Sequence, residues 1–299
     1  MWSSLLQQIK NGEEKAIARS ISLIENEASG YEQLLQSLPG SHTPLIGITG
    51  PPGAGKSTLV DALIAELVNK GKKIAILCVD PSSPFNLGAL LGDRIRMSEW
   101  YNHPSVFIRS LATRGSLGGL HPKIIEISEL LKSAPFDYII VETVGVGQSE
   151  IEIAGLADAT VVVLVPESGD EVQTMKAGLM EIADVFVVNK SDRPEADLFV
   201  KNLRLMLAPA FHSHAQEIPV VKTVAFEKKG IPELWDAIDM VLKRQNAPQQ
   251  KAWLFAEKAF QLIQNKRMND IDKNALKKKI QEQLTDPHFN LYKFVSKFL

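Results

Sequence analysis

The sequence predicts an α/β fold in which a mostly parallel, doubly wound sheet is covered by helices on both faces. From Leu45 to about Gln245, short β-rich runs alternate with helical stretches, which is the pattern of parallel βαβ units. Several runs are almost continuously apolar, as expected of strands that helices cover on both sides. A glycine-rich segment lies between the first β-rich run and a helical run, which predicts a strand, a tight loop and a helix in succession.

Seven strands are predicted along this region. They are LIGIT (45–49), KIAILCVD (73–80), VFIRSL (106–111), YIIVET (138–143), TVVVLV (160–165), VFVVNK (185–190) and IPVVKT (218–223). In a sheet of this type, ligands bind outside the carboxyl ends of the strands. Polar residues at the strand ends are therefore the first candidates for a functional site.

Helical segments flank the sheet region. Before it, Ile17, Ile21 and Ile24 recur at the spacing of one helical apolar stripe. After Ala247-Pro248 no further strand candidate follows, and Trp253 and Phe260 indicate an apolar helix face. We predict a helical N-terminal extension (1–43), a P-loop domain (44–246) and a helical C-terminal arm (247–299).

Composition excludes several classes of protein. Hydrophobic residues make up 45% and charged residues 23% of the 299, values typical of a globular protein. The net charge of −2 gives no overall basic balance, so we expect no nucleic-acid partner. A single cysteine, Cys78, excludes an internal disulfide and a cysteine-rich zinc site. No apolar run is long enough for a membrane span and no secretory signal is evident, so we expect no membrane association and a cytoplasmic location.

The glycine-rich segment matches a phosphate-binding loop in full. Its pattern is G-x-x-x-x-G-K-[ST], with an apolar strand before it and the helical run TLVDALIAELVNKG, beginning at Thr58, after it. The glycines let backbone N–H groups close around phosphates at a helix N-terminus. Lys56 is expected to contact the β- and γ-phosphates, and the Ser57 hydroxyl to reach Mg²⁺. The motif consists of Gly50, Pro51, Pro52, Gly53, Ala54, Gly55, Lys56 and Ser57.

Acidic residues at strand ends are candidates to complete a metal site beside this loop. Glu142 ends an apolar strand, where a Walker-B carboxylate belongs, and the Gly145 N–H could contact the γ-phosphate. Asp80 ends the strand that follows the P-loop helix. It could hold Mg²⁺ through water, orient the attacking water, or simply cap a turn. Asp93 is a weaker candidate by spacing alone.

A second motif predicts a guanine base. Asn189-Lys190-Ser191-Asp192 follows a strand well downstream of the P-loop, and N-K-x-D in that place reads guanine by hydrogen bonding. The Asp192 carboxylate can accept from guanine N1–H and the exocyclic amine, a donor pair that adenine lacks. Asn189 can tie the loop together, and the Lys190 stem can lie along the base plane. Thr223-Val224-Ala225 follows the last strand, where a further guanine-contacting backbone amide is expected.

Several longer segments together resemble the MeaB/ArgK family of P-loop GTPases, whose human member is the methylmalonic aciduria type A protein. The resemblance covers about residues 10–245 and is specific, because long stretches outside the P-loop agree. The segments are GITGPPGAGKSTLVDAL, VDPSSPFNLGALLGDRIRM, IRSLATRGSLGGL, FDYIIVETVGVGQSE and DEVQTMKAGLMEIADVFVVNKSD. Two departures are visible: Val224 stands where the family commonly has Ser, and the C-terminal arm looks shortened.

The resemblance implies a function and a site. Such proteins are GTPase chaperones of adenosylcobalamin-dependent acyl-CoA mutases, chiefly methylmalonyl-CoA mutase; they gate cofactor delivery and protect or reactivate the mutase. It implies a GTP/GDP cycle with slow, partner-stimulated hydrolysis, and Mg²⁺ near Ser57, Asp80, Asp93 and Glu142. It also implies a homodimer to which the terminal helices contribute, and the P-loop branch of signal-recognition GTPases and nickel-insertion chaperones.

Other functions stay open at this point. One is a nucleotide-gated binding module, in which GTP only sets the affinity for a partner. Another is a chaperone of a different metalloenzyme, such as a nickel protein, which the lack of a Cys/His cluster in the sequence disfavours. An older label for similar sequences is a kinase or ATPase of lysine–arginine–ornithine transport. The sequence gives that label no physical support, because no H-R-D catalytic loop is present and the base motif indicates guanine.

Arginines after Asp80 also have two interpretations. Arg109 and Arg114 could neutralise phosphate charge or act on the transition state. They could equally form salt bridges or a partner-facing surface. The sequence does not decide between these roles.

Overall fold

The computed structural model describes residues 2–80, 97–113, 120–145, 149–168, 182–211, 218–244, 249–267, 273–284 and 289–295. All seven predicted strands are present there. They are β1 (Leu45–Thr49), β2 (Ile74–Asp80), β3 (Val106–Ala112), β4 (Tyr138–Glu142), β5 (Ala159–Leu164), β6 (Val185–Val188) and β7 (Val220–Lys222).

Eleven α-helices lie in the described part of the chain. They are α1 (Trp2–Lys10), α2 (Glu14–Glu25), α3 (Tyr31–Gln36), α4 (Lys56–Asn69), α5 (Ile124–Lys132), α6 (Ser149–Leu156), α7 (Ala196–Phe211), α8 (Ile231–Lys243), α9 (Gln249–Arg267), α10 (Lys273–Gln283) and α11 (Leu291–Val295). Short 3₁₀ turns occur at Ser98–Trp100, Pro166–Ser168 and Ala225–Glu227.

The strands form one parallel sheet in the order β3-β2-β4-β1-β5-β6-β7. The chain winds outwards from β1 in both directions, which confirms the predicted doubly wound fold of the P-loop NTPase type. β1, the strand before the P-loop, lies at the centre between β4 and β5. The strands that end in Asp80 and Glu142 are neighbours. This order brings the predicted acidic residues to the edge of the sheet from which the P-loop leaves.

Side chains alternate between two cores on opposite faces of the sheet. In β5, Val161 and Val163 join the core that contains buried residues of α4 and α8. Val162 and Leu164 join the core on the other face, with residues of α7. A strand buried on both faces has no polar side to alternate with an apolar one, which explains its continuous apolar sequence.

β6 ends two residues earlier than the predicted run. Asn189 and Lys190 leave the sheet, and Lys190 has a left-handed backbone (φ 55°) that a strand cannot contain. The end of β6 is therefore the start of a loop at the carboxyl edge of the sheet.

The N-terminal helices pack into the same compact unit as the sheet, which runs from Met1 to Gln250. The predicted stripe of Ile17, Ile21 and Ile24 is fully buried. Glu25 at the end of α2 forms an ion pair with Arg109 in β3, and Arg109 also donates to the Ser22 hydroxyl at 3.0 Å. The extension thus contributes to the core and contacts an edge strand.

A second compact unit comprises Lys251–Leu299. Within it, α9 leaves Trp253, Phe260 and Ile263 more than half exposed. The boundaries predicted at residues 43 and 246 stay predictions. In the described ranges no helix combines the length and apolar character that a membrane crossing requires.

Candidate nucleotide-binding site

The P-loop joins the central strand to a helix, as its sequence predicts. β1 ends at Thr49, and α4 begins at Lys56. Gly50, the first residue of the loop, has φ 140°, and a Cβ there would lie 2.1 Å from the Val163 carbonyl oxygen of β5. A side chain would collide with that strand, so the sharp exit from the sheet requires glycine.

Lys56 is only 7% exposed, and its ammonium group is held by carbonyl groups. Its Nζ donates to the Gly50 carbonyl at 2.9 Å, the Pro51 carbonyl at 3.1 Å and the Val144 carbonyl at 3.4 Å. The cation is therefore positioned inside the loop, where its point charge suits phosphate oxygens. The contact with Val144 also connects it to the segment after β4.

The other P-loop residues line the same turn. Ala54 is buried, and Gly55 precedes α4 with a left-handed backbone. Ser57 is buried in the first turn of α4, next to half-buried Thr58. The predicted nucleotide contacts Pro51, Pro52 and Gly53 are half-buried or exposed at the rim of the loop.

Gly145 lies directly against the P-loop. Its φ is 82°, and a Cβ added there would be 2.0 Å from the Gly50 carbonyl oxygen and 2.6 Å from Lys56 Nζ. Only glycine allows this approach. The structure thus places the backbone of Gly145 beside the predicted phosphate-binding lysine.

Asp80 and Glu142 face the P-loop helix from neighbouring strands. Cys78 of β2 and Ile140 of β4 both belong to the core beneath α4. Because side chains alternate along a strand, Asp80 and Glu142, each two residues further on, lie on that same face. The register pairs Cys78 with Glu142, so Asp80 lies one side-chain repeat beyond Glu142, nearer the carboxyl edge.

Ser57 and Glu142 are in direct contact. The Ser57 hydroxyl donates to Glu142 Oε1 at 2.7 Å, and Ser57, Glu142 and Asp80 are each at most 7% exposed. These side chains offer hard oxygen donors, the type that Mg²⁺ prefers. Asp93, the fourth predicted ligand, lies outside the described residues.

This donor set fits a magnesium ion that arrives with phosphate. The described ranges contain no group of three or more His, Cys, Asp or Glu side chains arranged to hold a metal ion. Protein Mg²⁺ sites commonly combine one or two carboxylates with phosphate oxygens and water. The chemistry of Ser57 and the two carboxylates therefore suits a nucleotide-bound Mg²⁺ better than a permanent metal site.

Asn189 connects the predicted guanine loop to the P-loop. Its Nδ2 donates to the Ala54 carbonyl at 2.9 Å, and a Cβ on Gly55 would lie 2.5 Å from that nitrogen. Its Oδ1 accepts from the Thr223 hydroxyl and from the Ala225 N–H, both at 3.1 Å. One buried amide thus holds three loops together. The Ala225 N–H was predicted to contact guanine, and in this structure it donates a hydrogen bond to Asn189.

Lys190 and Asp192 occupy the outer part of this loop. Lys190 Nζ donates to the Gly53 carbonyl at 2.8 Å, so its side chain runs from the guanine loop to the P-loop. Asp192 is exposed. The hydrogen bond with Glu227 raises the pKa of the Lys229 ammonium, and the charge of Asp192 adds to that rise. Lys229 therefore lies within electrostatic reach of Asp192.

An ion pair beside this loop joins it to the end of β5. Arg193, next to Asp192, binds Glu167 of the Pro166–Ser168 turn. The hydrogen bond from Arg193 lowers the pKa of the Glu167 carboxyl, with a smaller contribution from the charge of Lys190. Both residues are substantially exposed, so water screens the pair.

A buried hydroxyl pair at the base of the site was not predicted from the sequence. The side chains of Thr49 and Thr143 are 2.8 Å apart and nearly inaccessible to solvent. Thr49 ends β1, the strand before the P-loop, and Thr143 directly follows Glu142, the last residue of β4. A threonine at each strand end beside a motif residue is the signal that could have revealed the pair.

The side chain of Arg109 binds the N-terminal helix α2. Its guanidinium group binds Glu25 and Ser22 of α2, on the sheet face opposite α4. This outcome favours the salt-bridge interpretation over phosphate neutralisation. Arg114 lies outside the described residues.

Comparison with known proteins extends these observations. Residues 17–282 match the family model described as the methylmalonyl-CoA mutase-associated GTPase MeaB. A Pyrococcus abyssi protein whose name proposes a GTPase is 49% identical over 243 residues, covering 80% of this chain and 75% of its own. The GTPase ArgK of Escherichia coli is 37% identical over 244 residues, covering 78% of this chain and 73% of its own.

Two proteins of lower sequence identity are also similar to this chain over most of its length. The mitochondrial methylmalonic aciduria type A homolog of Caenorhabditis elegans is 34% identical over 281 residues, covering 84% of this chain and 70% of its own. A crystal structure of an LAO/AO transport system kinase superposes with a TM-score of 0.69 at 27% identity, covering 99% of this chain and 95% of the other. With its P-loop and its N-K-x-D loop at one edge of a parallel sheet, this chain belongs to the MeaB family of guanine-nucleotide-binding GTPases.

Proposed function

We propose that this GTPase is a Mg²⁺-dependent chaperone that gates cofactor loading into an adenosylcobalamin-dependent acyl-CoA mutase such as methylmalonyl-CoA mutase, and that protects or reactivates it. The observation that carries the nucleotide part is the hydrogen bond from Asn189 to the Ala54 carbonyl. Through it the base-reading loop and the phosphate-binding loop form one unit. The mutase part is supported by the family description and by the name of the C. elegans relative.

Each end of GTP has its own set of residues in this proposal. Asp192 accepts from guanine N1–H and the exocyclic amine, while Asn189 holds the loop and Lys190 supports the base. P-loop amides and Lys56 bind the β- and γ-phosphates at the N-terminus of α4. Thr58 and Thr223-Val224-Ala225 complete the predicted set, the last segment by holding Asn189, which accepts from the Thr223 hydroxyl and the Ala225 N–H.

Hydrolysis then requires a water molecule aligned with the γ-phosphate and stabilisation of the charge that develops there. Lys56 is held inside the P-loop by carbonyl groups. In this proposal the Gly145 N–H donates to a γ-phosphate oxygen and, with Lys56, stabilises that charge. Ser57, Asp80 and Glu142, with Asp93, would hold Mg²⁺, which when bound neutralises phosphate charge. Asp80 has a second role open to it, because a carboxylate nearer the edge could orient the attacking water.

The arm formed by α9 supports a proposed homodimer. Trp253 and Phe260 are two turns apart on one face of α9 and are 62% and 64% exposed. Large exposed aromatic residues that share a helix face are typical of a surface that another protein covers. We assign that surface to a second copy of this chain. The cytoplasmic location and the absence of nucleic-acid and membrane partners stay predictions.

A second candidate follows from the name of the structural neighbour. The LAO/AO transport system kinase is similar over nearly the whole chain. Such a role requires transfer of phosphate to a protein or coupling to transport. The guanine motif and the lack of an H-R-D loop favour a nucleotide-gated chaperone over it.

The decisive experiment is steady-state hydrolysis of GTP, with ATP as control, with and without purified methylmalonyl-CoA mutase from the same organism. We expect slow turnover of GTP only, which the mutase raises about tenfold or more, equivalent to about 1.4 kcal/mol off the barrier. Turnover that the mutase leaves unchanged would contradict partner-stimulated hydrolysis. Binding of mutase that depends on GTP without any change in turnover would identify a nucleotide-gated binding module instead.

A further inference from the structure

We propose that Phe226 stacks on one face of the guanine base and closes the base site. The inference rests on the proposed binding of guanine nucleotides and adds a residue that neither sequence motif contains. Phe226 is 88% exposed, the highest value among large apolar side chains in the described part of the chain. It directly follows Ala225, whose N–H donates to Asn189.

Backbone hydrogen bonds close the loop that carries Phe226. Val224 and Lys229 exchange two backbone hydrogen bonds, of 3.1 and 3.2 Å, and close a tight turn over Ala225–Glu227. Lys228 completes the turn with a left-handed backbone (φ 56°), an uncommon conformation for a residue other than glycine. Because the backbone of this loop is already hydrogen-bonded, its tip loses little conformational entropy when a ligand binds.

The same loop lies against the guanine-reading loop. The Ser191 N–H donates to the Thr223 carbonyl at 3.1 Å, and Asn189 Oδ1 accepts from both Thr223 and Ala225. Lys229, at the far end of the turn, lies within electrostatic reach of Asp192. Phe226 therefore lies in a turn that is hydrogen-bonded to the guanine motif through Thr223 and Ala225.

The chemistry of the base gives an exposed phenyl ring at this point a function. Guanine has two apolar π-faces, and the Lys190 stem, anchored on Gly53, is assigned to only one of them. The second face is shielded from water only if another apolar group covers it. Removing an aromatic side chain that stacks on a base weakens binding by about 5- to 150-fold. The 88% exposed ring of Phe226, in contrast, buries little surface in the fold.

Calorimetric titration of three chains with Mg·GDP and with pyrophosphate tests the proposal. The chains are wild type, Phe226→Ala, and Leu205→Ala as a control that truncates a 63% exposed apolar residue on α7. We expect Phe226→Ala to bind GDP about 5- to 150-fold more weakly. Its pyrophosphate affinity and thermal midpoint should match wild type, because the ring is 88% exposed and buries little surface in the fold. Leu205→Ala should bind both ligands as wild type does.

A fluorescent variant supplies a direct readout of stacking. Phe226→Trp should bind GDP within a few-fold of wild type, because indole also stacks on a base. Its additional tryptophan emission should be quenched by GDP and unchanged by pyrophosphate, after subtraction of the wild-type signal. A merely structural role for the ring would not produce that base-dependent quenching.

The outcomes separate this inference from the proposed function. If wild type binds GDP and Phe226→Ala binds it equally well, or if Phe226→Ala loses pyrophosphate affinity to the same extent, stacking is overturned and guanine binding stands. If wild type binds no GDP, both are overturned. A GDP-specific loss together with quenching in Phe226→Trp supports the stacking.

Discussion

At the scale of single residues, Lys56 is the point where two parts of the site meet. Its ammonium group contacts P-loop carbonyls and also the Val144 carbonyl after β4. Phosphate oxygens at this site would compete with those carbonyls for the same donor. Gly145 is packed against the same ammonium group. We therefore expect a movement of Lys56 towards a phosphate to change the contacts of the segment that follows Glu142.

Asp192 carries the choice of base in our interpretation, and Asp192→Asn should change that choice. The amide can donate to a carbonyl at C2, so xanthosine triphosphate should gain affinity. GTP should lose roughly tenfold or more, because its N1–H and amine no longer meet a carboxylate. Competition binding with GTP, xanthosine triphosphate and ATP measures the change.

The matched control for this substitution is Asp236→Asn, the same chemical change at an exposed site on α8. It should leave the order GTP over xanthosine triphosphate intact. Unchanged GTP affinity in Asp192→Asn would remove Asp192 from the base site.

Asp80 has two candidate roles, and a single variant distinguishes between them. If it orients water, Asp80→Ala should bind Mg·GTP normally and hydrolyse it at least tenfold more slowly. If it serves the metal, the Mg²⁺ dependence of GTP binding should be lost. Nucleotide affinity measured across a magnesium series, together with single-turnover hydrolysis, distinguishes the two. Full activity in the variant would exclude both roles.

At the scale of elements, α6 packs on the central strand through Gly47. A Cβ at Gly47 would lie 2.5 Å from Ile153 Cγ1 and 3.1 Å from the Ala157 Cβ. Gly47→Ala should therefore push α6 away and destabilise the protein by about 1–3 kcal/mol. Chemical denaturation measures the change.

The control is Gly40→Ala, because no atom lies within 4 Å of a Cβ placed there. Its free energy of unfolding should stay within about 0.5 kcal/mol of wild type. Equal stability of Gly47→Ala and Gly40→Ala would show that α6 shifts without cost.

α6 also carries a pH-dependent contribution. Burial raises the pKa of the Glu152 carboxyl above its ordinary value of 4.5. The unfolded chain then ionises more readily than the folded one, so the charged form of Glu152 destabilises the fold above pH 4.5. Glu152→Gln should raise the thermal midpoint at pH 7, and the difference from wild type should vanish below pH 4.5.

Thermal unfolding at pH 4 and pH 7 checks this sign. The control is Glu257→Gln, an exposed position on α9, which should change the midpoint little at either pH. A lower midpoint for Glu152→Gln at pH 7 would mean that the carboxylate is stabilised in the fold.

At the scale of the whole molecule, assembly through α9 is the main prediction. We expect the full chain to have twice its 33.0 kDa monomer mass in light scattering after size-exclusion chromatography. The double substitution Trp253→Ala and Phe260→Ala removes the two most exposed aromatic residues of α9 and should yield monomers. Leu198→Ala, an exposed position on α7, should remain dimeric. A wild-type monomer at micromolar concentration would contradict the proposal.

The seven strands, the P-loop and the guanine motif could all be predicted from the sequence. Each is encoded within a short stretch, by apolar runs or by residue types at fixed spacing, so no distant contact is needed to recognise it. The stripe of Ile17, Ile21 and Ile24 was visible for the same reason. Even the common edge for Asp80 and Glu142 followed from parallel strands.

Contacts between residues that are distant in the sequence could not be predicted from it. Asn189 reaches Ala54 across 135 positions, and Thr49 reaches Thr143 across 94. The partner of Arg109 is 84 positions away, and its sequence context left two roles open. These pairs depend on strand order and on the face that each helix covers. Packing of the whole chain sets both, since contacts between distant segments form only when intervening elements are in place.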